Sequence, residues 1–98
     1  MSEAEILAKL SKWYQAQCNG EWEHGSGIRI DTLDNPGWIV KVNLRGTDCE
    51  LKTFPEIVSN NGNNNWMHCS VKDGEFKGAG DPSKLPLILD HFLTYVGD

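Results

Sequence analysis

Between Ile6 and Cys18 the apolar residues Ile6, Leu7, Leu10, Trp13, Tyr14 and Cys18 recur at intervals of three and four. That stripe predicts an amphipathic helix over residues 3–18. Ser2 is placed to cap it, with Glu5 three residues on as the other half of a capping box, and Asn19-Gly20 supplies the stop. From Ile28 the period falls to two. Ile28, Ile30 and Thr32 share one face, and Arg29 and Asp31 the other. After the turn signal Asp34-Asn35-Pro36-Gly37, Trp38, Val40, Val42 and Leu44 point inward while Lys41 and Asn43 point outward. An antiparallel register that pairs Ile30 with Val42 also sets Asp31 against Lys41, an oppositely charged pair on the solvent side.

Arg45-Gly46-Thr47-Asp48 turns the chain again, and Cys49, Leu51 and Thr53 continue the inward row as a third strand. Residues 55–65, rich in asparagine, read as a surface loop. Asp73-Gly74 is a two-residue hairpin signal. Closing on it pairs Lys72 with Glu75 outside and Val71 with Phe76 inside, which turns Met67 and Cys69 inward and Trp66 and His68 outward. Ser83 caps a last helix with Pro86 in its first turn and Leu85, Ile88, Leu89, Phe92 and Val96 as its stripe, ended by Gly97. The order is α-β-β-β-β-β-α. Residues 1–98 therefore form one α+β domain, a two-layer sandwich of about five antiparallel strands with both helices on one face. The opposite face is left wet or covered by a partner.

Composition narrows the function. The chain has 98 residues, 39% hydrophobic and 23% charged, an ordinary profile for a globular domain. No apolar run reaches the roughly 18 residues a membrane span needs, and the acidic start Met-Ser-Glu-Ala-Glu does not resemble a secretory signal. Nine Lys and Arg against fourteen Asp and Glu give a net charge of −5. Without a Lys/Arg cluster, direct nucleic-acid binding has no electrostatic footing, and a basic protein partner fits better. Three cysteines, Cys18, Cys49 and Cys69, without a CxxC spacing point to reduced intracellular thiols.

No cofactor or metal signature is present. His24, His68 and His91 lack ligand spacing, and the glycines form neither a dinucleotide nor a phosphate loop. His68-Cys69 could suggest a nucleophile and its base, yet neighbours in a strand point to opposite faces. A small enzyme using Cys69 or Cys18, for example in thiol or sulfur transfer, is the rival reading. The candidates for partner contact are Glu21, Trp22, Glu23 and His24, an acidic segment around an aromatic, and Asp31, Trp66 and His68 on the polar sheet face. Trp22 can equally fold back over the core edge. Trp66 is either covered by the Asn-rich loop, part of a binding surface, or the centre of a homodimer contact.

The blocks Trp13-Tyr14-x-x-Gln17-Cys18-Asn19-Gly20-Glu21-Trp22-Glu23-His24, Gly27-Ile28-x-Ile30 and Thr32-Leu33-Asp34-Asn35-Pro36-Gly37-Trp38 carry a resemblance. With Trp66-x-His68-Cys69 and Gly74-x-Phe76-x-Gly78, the chain resembles the immunity protein 53 family over nearly its whole length. The resemblance implies a cytoplasmic bacterial protein of polymorphic toxin systems that binds a cognate toxin domain and blocks it by occlusion, without catalysis. An acidic inhibitor of this kind would suit a basic toxin such as a nuclease. The resemblance carries no binding residues with it, and the Asn-rich loop has no counterpart in its pattern.

Overall fold

The computed structural model describes residues 2–25 and 27–97. Helix α1 (Glu3–Gln17) opens on the expected capping box: the Ser2 hydroxyl accepts from Glu5 N, and the Glu5 carboxylate accepts from Ser2. Cys18 ends it in extended backbone, and Gly20 turns the chain at φ 92°. A short 3-10 turn (Trp22–His24) leads into five strands: β1 (Ile28–Leu33), β2 (Gly37–Asn43), β3 (Ile57–Asn60), β4 (Trp66–Lys72) and β5 (Glu75–Gly80). Helix α2 (Leu85–Val96) closes the chain, with Gly97 at φ 91° as its C-terminal cap. All strand pairs are antiparallel, in the spatial order β1-β2-β5-β4-β3. The fold is α+β, and the helix and strand order is as expected.

The inward row of the sheet, Val40, Val42, Met67, Cys69 and Phe76, is buried against Ile88, Leu89, Phe92 and Leu93 of α2. Ile6, Leu10 and Trp13 of α1 pack beside α2 in the same layer. Edge-to-face rings tie these layers together. Trp13 meets Trp22 at 5.8 Å and Phe92 at 5.0 Å, and Phe76 meets Phe92 at 5.1 Å and Phe54 at 5.7 Å. Such pairs add roughly 0.5–1.5 kcal/mol each beyond their buried area. Helix α2 can approach the sheet closely because Gly78 of β5 presents no side chain beneath Ile88.

Four local expectations need correction. The third strand is not at residues 49–53: that stretch is irregular, with Cys49 buried but Leu51 94% exposed. Phe54 anchors it instead, packing on Phe76 and Tyr95, while the Tyr95 hydroxyl donates to Cys49 O at 2.9 Å. Strand β3 lies inside the stretch read as loop, leaving only residues 61–65 to connect it to β4. Its backbone is recruited by the free edge of β4, a tertiary preference that outweighs its weak side-chain pattern. The β1–β2 register is shifted by two, with Ile28 opposite Val42 and Arg29 opposite Lys41. The loop is residues 34–36, and Gly37 belongs to the strand, paired with Leu33, at a position where a Cβ would collide with the Gly80 carbonyl. Finally, Lys84 rather than Ser83 precedes α2, since the Ser83 hydroxyl is spent on Asp81 at 2.6 Å.

Candidate functional site

A shift of two residues preserves faces, so the outward side chains are those the alternation predicts. The helices cover one side of the sheet, and the other is open. Across it, the register aligns rows of side chains. One runs Asp31, Ile39, Ala79, His68 and Val58 from β1 to β3. The adjacent row runs Arg29, Lys41, Lys77 and Ser70. Val58 is 67% exposed although apolar.

At one end of this face lies a groove of about 780 Å³. Trp66 lines it together with the Asn35-Pro36 turn, Asn60 at the end of β3, and Asn63 and Asn64 of the β3–β4 loop. The indole rests over Gly37, where its Cζ2 would be 3.4 Å from an added Cβ. Trp66 is thus half-buried, with the Asn-rich loop lining the same groove.

Asp81, between β5 and α2, fixes this end of the face. Its carboxylate is 1% exposed and accepts from Trp66 N at 2.9 Å, Ser83 N at 2.8 Å and Lys84 Nζ at 2.7 Å. Lys84 also donates to Asn65 Oδ1 at 2.8 Å, so the same cluster holds the β3–β4 loop. The Lys84 ammonium, followed by the Ser83 hydroxyl, holds the Asp81 carboxyl far below the ordinary carboxylate range despite burial. Sequence reasoning missed this cluster because Asp81-Pro82-Ser83 looks like plain turn chemistry.

The candidates divide between two places. Asp31, Trp66 and His68 lie on the open face, where His68 Nε2 meets Glu56 Oε2 at 2.7 Å with both side chains about half exposed. Glu21, Trp22, Glu23 and His24 lie at the helix layer instead. Trp22 is buried against Trp13, and its indole N–H donates to Asn43 O at 3.0 Å. The Glu23 carboxylate accepts from Asn19 N and Gly20 N at 2.8 and 2.7 Å, while Asn19 Oδ1 accepts from Glu21 N and Trp22 N. Its own backbone N–H, with that of Asn19, keeps this carboxyl below its usual range. Glu21 and His24 remain exposed.

For catalysis the arrangement offers little. His68 and Cys69 point to opposite faces, and Cys69 is fully buried. Burial pushes its thiol up to about 11, the reverse of nucleophile activation. Among the described residues no group of three His, Cys, Asp or Glu is placed to hold a metal ion. Among them, too, no helix is long and apolar enough to cross a membrane. What the open face can do is touch another macromolecule over a broad area.

Comparison with known proteins bears on this point. A family model described as immunity protein 53 matches residues 7–97, which includes every strand and most of both helices. Neither the curated proteins nor the solved structures yield a match.

Proposed function

Since the chain belongs to the immunity protein 53 family, we propose that it binds a cognate bacterial toxin domain in the cytoplasm of the producing cell and neutralises it by covering its surface. The docking surface is the open sheet face, with Asp31, Trp66 and His68 among its contacts. The observation that carries this choice is the Trp66 groove beside the exposed Val58. A half-buried aromatic held by its backbone is the type of residue that dominates interface energetics. The helix layer offers less, because Trp22 and Glu23 already serve the protein's own interior and turn.

The net charge of −5 favours rapid approach to a basic toxin, as a nuclease with a basic substrate site would be. The sheet face, however, lines up Arg29, Lys41 and Lys77 in one row, with Asp31, Glu56 and Glu75 around it. The rival reading, a cysteine-dependent enzyme, has no support from the buried Cys69.

The test is co-expression with the toxin domain encoded beside this gene. The expected result is restored growth and a complex that survives gel filtration, and Trp66→Ala should weaken that complex while leaving the free protein folded. Absence of both rescue and complex formation would overturn the reading.

A further inference from the structure

The register of β1 on β2 brings together charges that repel. Arg29 lies directly opposite Lys41, and Lys41 directly opposite Lys77, so three cations stand in one row across three adjacent strands. Directly opposed like charges destabilise a sheet. A register two residues away would have set Asp31 against Lys41 instead. The fold takes the repulsive alignment and does not neutralise it internally. Among the described residues the ion pairs are His68 with Glu56 and Lys84 with Asp81, and neither engages the row. Asp31 and Glu75 lie two residues further along β1 and β5 on the same face, and Glu56 and Glu75 border the same hollow as Lys77, yet among the described residues none of the three forms an ion pair with the row.

A row of unpaired cations on the open face of a chain with net charge −5 is the complement of an acidic surface. We infer that Arg29, Lys41 and Lys77 form a carboxylate-binding strip for an acidic segment of the toxin domain, an inference that rests on the proposed docking face and gives it a sign. The strip lies one row from Ile39, Ala79 and Val58, so an extended segment can place carboxylates over the cations and apolar side chains beside them. Overall charge governs approach from a distance, and this row governs contact. A filled strip relieves the cross-strand repulsion, which makes the free protein less stable than its sheet could be and the complex correspondingly tighter.

The test neutralises the row with Lys41→Gln and Lys77→Gln, alone and together, with Lys12→Gln and Lys52→Gln as exposed controls away from the face. Calorimetry against the toxin domain encoded beside the gene should show the double variant binding at least about tenfold more weakly, with a shallower salt dependence. The controls should bind unchanged. Thermal melting of the free double variant should be equal to wild type or higher, which separates lost contact from lost folding. Full affinity in a folded double variant overturns the strip while leaving toxin binding intact. If the wild type does not bind the toxin domain, titration with a deca-glutamate peptide decides, read by backbone amide shifts. Shifts in β1, β2 and β5 that vanish in the double variant support the strip, and their absence overturns it. Preferential binding of a ten-residue oligothymidine at the same amides, or concentration-dependent self-association abolished by the double variant, would assign the face to a nucleic acid or a second copy and likewise overturn it.

Discussion

Gly78 offers a direct test of how α2 is seated on the sheet. A methyl group added at this position would come closer than 3.0 Å to Ile88 Cγ2 and lie 3.2 and 3.3 Å from ring carbons of Phe76. Both side chains are held in the fully buried core, so neither can swing into solvent. Gly78→Ala therefore overpacks the core, at a cost of about 1–3 kcal/mol. The lower unfolded-state entropy of alanine returns roughly 0.4–1 kcal/mol, leaving a net loss between about 0 and 2.6 kcal/mol, and the contact under 3.0 Å with Ile88 places it in the upper half of that range. Ile88→Ala alone opens a cavity and costs about 2–5 kcal/mol. In the double variant the new methyl occupies part of the space the isoleucine vacates. Its stability should match or exceed that of Ile88→Ala, a coupling of at least about 1 kcal/mol between residues in contact. Urea unfolding followed by tryptophan fluorescence reads all four proteins, with equal slopes required for comparison. If the two losses add to within about 0.5 kcal/mol, the proposed steric relation between strand and helix is wrong.

Two further outcomes follow from ionisable groups. The Asp81 carboxyl is held below its ordinary value of 3.8, so its stabilisation is present above that value and is lost as pH falls through the folded value. Asp81→Asn should lower the melting temperature at neutral pH and flatten the stability profile below about pH 5; an unchanged acid slope would remove Asp81 as its source. With iodoacetamide at neutral pH, mass mapping should find partly exposed Cys18 modified first and Cys69 last, the latter being fully buried with its thiol pushed up to about 11. Rapid labelling of Cys69 in the folded protein would revive the enzyme reading.

The elements legible in the sequence are those whose local chemistry decides the outcome alone. Asp73-Gly74 produces its hairpin because both residues take the positive φ values the turn requires, 53° and 74°, and the predicted pairs Lys72–Glu75 and Val71–Phe76 form. The Ser2–Glu5 box sets the start of α1 in the same way. Where position in the fold decides, pattern misleads. Cys49, Leu51 and Thr53 alternate like a strand, but the Tyr95 hydroxyl and the Phe54 ring fold that stretch over the core edge, and Leu51 is left in solvent. Ile57 and Val58 carry too little pattern to announce a strand, and they form one because β4 offers an unpaired edge. The outward placement of Trp66 and His68 was readable from alternation. The groove around Trp66 was not, since it depends on Gly37, Asp81 and Lys84, all distant from Trp66 in sequence.

That dependence links the two layers. Asp81 receives Trp66 N from the sheet, Ser83 and Lys84 from the approach to α2, and through Lys84 the Asn65 amide of the β3–β4 loop. One buried carboxylate therefore joins Trp66 in the groove, the loop that lines it and the start of the helix whose other end holds the 45–56 segment through Tyr95. A partner pressing on Trp66 meets a side chain already laid over Gly37 and a backbone already hydrogen-bonded, so little ordering remains to be done on binding. Occlusion makes this demand of an inhibitor. Neutralisation lasts only as long as the complex, so a slow off-rate from a preformed surface matters more than chemistry at any single residue. The charged row does not share this preorganisation, since among the described residues its long cationic side chains have no hydrogen-bond or ion-pair partner to fix them until acidic groups arrive. The face thus combines a rigid aromatic end with an adaptable electrostatic one, and mutations at the two ends should differ in kind. Loss of Trp66 should act mainly on the off-rate, and loss of Lys41 and Lys77 should also slow association in a salt-dependent way.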